Sequence, residues 1–244
     1  MLKKIDILGV GITDASKDEI LEYVFNFVSS GSEKGYIVTP NPEIITHAQA
    51  HTRYREILNK ATVSLCDGVG VAIAARLMDK SLHGRIAGVD FMEEVCKESV
   101  RKGVGVGFLG GKRGVALRAS ECLKAKLPGL RVGFVGEEWQ ESGIRRSLDT
   151  EKKTQGQEEV DILFVAFGFP KQEEWIAENL SKIPVKMAMG VGGAFDYISG
   201  AVPRSPFLMR AVGLEWLFRL IVQPWRIKRQ LALVRFMGLV LKSK

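Results

Sequence analysis

Short apolar runs alternate with longer amphipathic ones over the first 190 residues. The short runs are mostly rich in Val, Ile and Phe and are bounded by Gly, Pro or Asp. They predict strands at Lys4–Leu8, Tyr36–Val38, Thr62–Cys66, Val104–Leu109, Arg131–Val135, Asp161–Phe167 and Lys186–Val191. Helical spacing of apolar positions predicts helices over Lys17–Val28, Glu43–Asn59, Val69–Met78, Phe91–Arg101, Val115–Leu127 and Gln172–Leu180. Such alternation predicts an α/β fold, a Rossmann-like and mostly parallel sheet with helices on both faces. The nearly all-polar stretch 140–158 reads as a solvated helix or loop. Beyond Gly200 the pattern changes. Ala201–Pro206 reads as a linker, and Pro224 splits two helical segments, Gly213–Val222 and Trp225–Lys242. The expected organisation is an α/β domain over 1–200 and a helical C-terminal appendage over 201–244.

Charge sharpens that division. Residues 201–244 hold nine Lys or Arg against Glu215 alone, a charge of +8, whereas residues 1–200 carry 26 basic and 27 acidic side chains. A near-neutral body with a basic end points to a polyanionic partner. At 46% hydrophobic and 26% charged the composition is that of a globular chain, not a disordered or collagen-like one. Cys66, Cys96 and Cys122 form no C-x-x-C motif, which fits free thiols in a reducing cytosol. The opening Met-Leu-Lys-Lys-Ile-Asp lacks an apolar leader region, and the best membrane-span candidate, Leu231–Leu241, is short and contains Arg235.

Ligands of a parallel sheet bind at the carboxyl ends of its strands, so the residues following each strand matter most. Thr39-Pro40-Asn41-Pro42 follows Tyr36–Val38. Asn41 suits a helix cap, and Thr39 and Asn41 could equally point hydrogen-bonding groups into a crevice. Asp67-Gly68-Val69-Gly70 follows Thr62–Cys66, and Asp67 is either a general base or another cap. Gly105, Gly107 and Gly110 fit G-x-G-x-x-G, but no acid sits at the expected distance on a second strand end, since Glu121 falls mid-helix, so a tight strand–helix turn is the better reading. Lys171 and Gln172 open a helix after Asp161–Phe167, a place for an anion or a sugar hydroxyl, and Gly192-Gly193 follows Lys186–Val191.

Several chemistries lack their motifs. His47 and His51 have no Glu between them in the zinc-protease position, and no Cys/His cluster has zinc spacing. Neither Asp-x-Asp nor Gly-x-Ser-x-Gly occurs.

In the tail, Leu233, Phe236, Met237 and Val240 form an apolar stripe, while Lys228, Arg235 and Lys242, spaced by seven, fall on the face opposite Arg219, Arg226 and Arg229. Arg219, Arg226 and Arg229 fit one arc. Basic residues beside a Trp-containing apolar face predict contact with an anionic membrane, in preference to a helix docked on the protein's own body. A neutral body without a familiar binding motif argues against nucleic acid.

In order along the chain, Thr39–Glu43, Asp67–Val71, Arg85–Asp90, Gly168–Glu173, Gly190–Asp196 and Gly213–Arg219, then Pro224, Arg226 and Arg229, resemble the WecG/TagA/CpsF glycosyltransferases, glycosyltransferase family 26. The ordered set spans about residues 5–230 and is far more specific than any one motif. The resemblance implies a GT-E type fold and an inverting, metal-independent transfer that needs no cofactor. It implies a UDP-sugar donor and an undecaprenyl-diphosphate-linked N-acetylglucosamine acceptor. The family's base falls on Asp67, its site residues on Thr39, Asn41, Arg85 and Gln172, and its appendage arginines on Arg219, Arg226 and Arg229. It also implies a cytoplasmic protein held peripherally on the inner membrane face through the appendage.

No Arg or Lys is identifiably placed to read a sugar carboxylate, which favours the neutral N-acetylmannosamine over its uronic acid, with glucose as a further alternative donor sugar. A homo-oligomer is compatible with the sequence. The competing readings are a nicotinamide-dependent oxidoreductase, resting on Gly105, Gly107 and Gly110, and a non-catalytic membrane adaptor, resting on the tail.

Overall fold

The computed structural model describes residues 2–31, 33–138, 159–211, 213–224 and 227–243, so the polar stretch 140–158 lies outside the described residues. In chain order the elements begin with β1 (Lys4–Ile7), β2 (Val10–Thr13), α1 (Lys17–Ser30), β3 (Gly35–Val38), α2 (Pro42–Ala50) and α3 (Thr52–Lys60). Next come β4 (Val63–Ser64), α4 (Val69–Leu77), α5 (Gly88–Lys102), β5 (Val106–Gly110), α6 (Val115–Lys126), β6 (Val132–Gly136) and β7 (Ile162–Ala166). The last are α7 (Lys171–Asn179), β8 (Met187–Gly190), α8 (Ala194–Ile198), α9 (Phe207–Ala211), α10 (Glu215–Val222) and α11 (Ile227–Lys242).

The α/β expectation holds. Six strands form one sheet in the order β4-β3-β8-β7-β5-β6, and the ladders from β3 to β6 are parallel, with helices flanking the sheet. By contacts the chain falls into two compact units. One comprises Met1–Ile20, Val38–Ala87 and Pro203–Lys244, the other Leu21–Ile37 and Gly88–Val202. The tail from Pro203 thus shares its unit with two earlier stretches of chain.

Two local expectations need correction. Lys4–Leu8 does not join the parallel sheet. Its strand β1 pairs antiparallel with β2, Ile5 opposite Ile12, in a separate two-stranded sheet. Leu8 and Gly9 turn the chain with φ +54° and +78°, the two left-handed residues of a tight hairpin. The single helix expected over Glu43–Asn59 is two helices, because His51 takes φ −128° and ψ 87° between α2 and α3. There the His51 ring stacks on His47 at 3.7 Å, and His51 Nδ1 lies 2.9 Å from the His47 carbonyl.

The core of the second unit gathers Leu109, Phe134, Leu163, Val165, Ile176 and Ala188, with Phe108 between Phe164 and Phe195. This packing accounts for the Gly-x-Gly-x-x-Gly pattern. A methyl group at Gly105 would fall 1.8 Å from the Glu159 carbonyl oxygen. One at Gly107 would fall 2.9 Å from both Leu163 and Val160, and one at Gly110 2.8 Å from Phe167. Close approach of chain to chain requires each of the three glycines, so the pattern needs no dinucleotide to explain it.

In the first unit the apolar stripe predicted on the tail is real, and it is docked on the protein's own body. α11 packs against α2 and α4, burying Phe236 and Val240. Gly70 lies at this junction, where an added methyl would meet Pro42 Cγ at 2.6 Å and Leu233 Cδ1 at 3.0 Å. In an open helix Gly→Ala stabilises by up to about 1 kcal/mol. Here the Pro42 ring cannot swing aside, so Gly70→Ala is expected to destabilise by about 1–3 kcal/mol through overpacking. Thermal unfolding of the variant checks this, and a raised Tm would contradict the packing described.

Candidate active site

Strands β3 and β4 are neighbours, and their carboxyl ends bring two separated motifs together. The Leu65 amide donates to the Val38 carbonyl at 2.9 Å, and the Asp67 amide donates to the Pro40 carbonyl at 3.2 Å. Thr39 is buried, and Asp67 is half-buried at the start of the α4 turn. Gly68 takes φ +92°, a value that favours glycine, and its missing side chain would lie 3.8 Å from Asn41 Cβ. Asn41 acts as the helix cap that its sequence suggested. Its Oδ1 accepts from the Ile44 amide at 3.0 Å, with Pro42 in the first turn of α2.

Arg85 reaches the same corner from the irregular connection between α4 and α5. The Ile86 amide donates to the Cys66 carbonyl at 2.9 Å, fixing that connection beside Asp67. The Cys66 thiol registers the local field. Burial pushes its pKa up to about 12, Asp67 adds to the rise, and Arg85 opposes it. An acid and a guanidinium therefore stand close enough to act on one buried thiol.

The tail meets this corner as well. Arg85 Nη2 donates to the carbonyl of Arg210 at 3.0 Å. At Gly213, φ +77°, an added methyl would lie 2.7 Å from Val69 Cβ, two residues beyond Asp67. Arg219 lies on α10 with a buried Nε, and Arg204 Nε lies 3.8 Å from Glu215 Oε1. Of the other predicted appendage residues, Arg226 lies outside the described residues, and Arg229 is on α11 with its side chain outside them.

Gln172 belongs to the second unit, and there its amide is engaged internally. Its Nε2 donates to Glu173 Oε1 at 2.8 Å, and its Oε1 accepts from the Gly192 amide at 2.9 Å. It fills the space left by Gly190, where an added methyl would lie 2.9 Å from Nε2. Thr39, Asn41, Asp67, Arg85 and Arg219 are thus all in the first unit, and Gln172 is described with the second.

Sequence reasoning missed Arg210, whose carbonyl receives Arg85, and the side chains that tie down the connection carrying Arg85. No periodicity marks such residues. The one available signal was Gly213 directly before the Leu-Glu-Trp run, a glycine too close to Val69 to be replaced. Among the described residues no group of three or more His, Cys, Asp or Glu could hold a metal ion. No described helix is long and apolar enough to cross a membrane.

A carboxylate just after β4 and a guanidinium on the connection beside it can take up a proton and steady an anion, the two tasks of a group transfer. Comparison with known proteins agrees with that class. The chain matches the glycosyl transferase WecG/TagA/CpsF family over residues 5–244, and it belongs to that family. Its relatives include the N-acetylglucosaminyldiphosphoundecaprenol N-acetyl-beta-D-mannosaminyltransferases of Staphylococcus aureus strains MRSA252, NCTC 8325 / PS 47 and COL. Each is 32% identical over 246 residues, covering 99% of this chain and 93% of the relative.

Proposed function

We propose that this glycosyltransferase moves N-acetylmannosamine from UDP-N-acetylmannosamine to undecaprenyl-diphosphate-linked N-acetylglucosamine. The observation that carries the reading is the end-to-end similarity to relatives bearing that name. The joining of the Thr39–Asn41 and Asp67 turns through the Pro40 carbonyl supports it.

In the proposed step the acceptor hydroxyl oxygen attacks the anomeric carbon as the bond to the UDP diphosphate breaks, inverting that centre. Asp67 takes the hydroxyl proton. Arg85 and the tail arginines Arg219, Arg226 and Arg229 steady the negative charge left on the diphosphate, which suits the planar fork of a guanidinium. Thr39 and Asn41 address the substrates, Asn41 through Nδ2 because Oδ1 holds the cap. Gln172, a site residue by the family resemblance, holds the Gly192 amide within the second unit.

The acceptor is a lipid, and the tail supports a place at the membrane surface. Phe207, Leu208, Ile221, Leu231, Val234 and Leu241 are exposed. On α11, Leu231, Val234 and Leu241 share an arc of about 120° with Arg235 and Lys242, opposite the buried Phe236 and Val240. An apolar face edged with cations fits the headgroup region of an anionic bilayer.

The test is a panel of UDP-sugars assayed with a short-chain lipid-diphosphate N-acetylglucosamine acceptor. UDP-N-acetylmannosamine is expected to give the highest kcat/KM, and a higher value for the uronic acid or for UDP-glucose would reassign the donor. With arginines in the charge-stabilising role, EDTA-treated enzyme is expected to keep most of its rate. A collapse that Mg²⁺ or Mn²⁺ restores would move that role from the arginines to a metal.

A further inference from the structure

The connection 78–87 between α4 and α5 carries Arg85 and contains neither helix nor strand. An irregular segment holds a side chain in one place only if other bonds tie it down. Here the ties go to the β1–β2 hairpin and its exit. Lys80 Nζ donates to the Asp6 carbonyl and lies 3.8 Å from the Asp6 carboxylate. Three residues on, both the backbone amide and ring Nδ1 of His83 meet a single oxygen, Asp14 Oδ1, at 3.1 and 2.8 Å. The two partners differ sharply in setting, for the Asp14 side chain is 6% exposed and that of His83 is 55% exposed. A surface histidine is thus clamped onto a buried carboxylate. Gly84, at φ +144°, then turns the chain so that Arg85 can reach the Arg210 carbonyl.

We infer that Asp14 and His83 are positioning residues for the transfer, holding the connection so that Arg85 presents its guanidinium to the leaving diphosphate. The inference rests on the reading that Arg85 binds that group. Neither Asp14 nor His83 reaches the substrates in this scheme, and both act through the backbone on either side of Gly84. The His83 hydrogen bonds, against the cost of burial, hold the Asp14 carboxyl below the usual range, with Lys3 Nζ at 3.4 Å adding to the effect. The clamp therefore keeps its charged acceptor at neutral pH and into mild acid.

The clamp is expected to show in donor recognition. Full-length wild type, His83→Ala, His83→Asn, Arg85→Ala and the double variant His83→Ala/Arg85→Ala are compared in UDP affinity by calorimetry and in kcat/KM for the donor. Thermal unfolding is followed for each. Loss of the ring hydrogen bond to a buried charge predicts that His83→Ala weakens UDP binding and kcat/KM by about tenfold, with Tm lowered only modestly because the backbone amide at position 83 keeps its bond to Asp14. In His83→Asn the amide Nδ2 stands where ring Nδ1 stood, so most of the loss is expected to be recovered. In the Arg85→Ala background, His83→Ala is expected to cost nothing further, because the group it positions is already gone.

The inference is overturned if His83→Ala binds UDP like wild type, if its loss adds in full to that of Arg85→Ala, or if His83→Asn recovers nothing. If Arg85→Ala alone proves fully active, the assignment of Arg85 fails and this inference fails with it. If Arg85→Ala is impaired and His83→Ala is not, only the inference fails. Should His83→Ala not fold, Lys80→Met, which removes the neighbouring tie to Asp6, carries the same comparison.

Discussion

Asp67→Asn is expected to lower kcat by roughly 10²–10⁴-fold, the usual worth of a positioned general base. Asn matches Asp in size, so the Asp67 amide can keep its bond to Pro40 and the chain its turn at Gly68. What is lost is an acceptor for the hydroxyl proton. UDP affinity is expected to change little, because in the proposed step the base acts on the acceptor hydroxyl and not on the nucleotide. Steady-state kinetics with a soluble acceptor, run beside UDP calorimetry, separate the two. Near-normal turnover would remove Asp67 from the role of base. A large loss of UDP affinity would place its side chain on the donor instead.

Truncation after Gly200 is expected to abolish transfer even to a water-soluble acceptor. Three losses coincide. Arg219, Arg226 and Arg229 leave with the tail, and so does the carbonyl of Arg210 that holds Arg85. The faces of α2 and α4 that receive Phe236 and Val240 are uncovered, so thermal stability is expected to fall as well. Binding to anionic vesicles is expected to go with the basic apolar face, each Lys or Arg near such a surface contributing about 1 kcal/mol. Arg226→Ala separates the effects, since it should cut turnover while vesicle binding stays near that of wild type. Transfer at full rate by the truncated enzyme would make the tail an anchor only and shift the diphosphate-binding role to residues 1–200.

The parallel sheet was legible because buried strands are continuous apolar runs, such as Ile162–Ala166, between helices of clear period. The β1–β2 hairpin was not. Its second strand, Val-Gly-Ile-Thr, is short and only two residues separate it from the first, so the pair passes for one strand and its loop. The Asp67 and Thr39–Asn41 turns were legible as polar strand ends, although capping alone gave each a reason to be there, as it does for Asn41. Their meeting depends on β3 and β4 being neighbours, which strand order decides and local pattern does not. The tail's apolar stripe was visible, yet its occupant was not, because a face that suits lipid suits α2 and α4 equally well. The roles of His83 and Asp14 lie in contacts across 69 residues of chain, which no spacing rule encodes.

The unit that holds Asp67 is woven from the beginning, the first third and the end of the chain, with Leu21–Ile37 and Gly88–Val202 between. Synthesis therefore delivers its parts out of step. At about 5–20 residues per second, the stretch 203–244 is synthesised over about 2–8 s after the second unit's last residue. During that interval the pocket on α2 and α4 for Phe236 and Val240 has nothing to fill it. The cover for that apolar surface is therefore made after every other part of the unit to which it belongs.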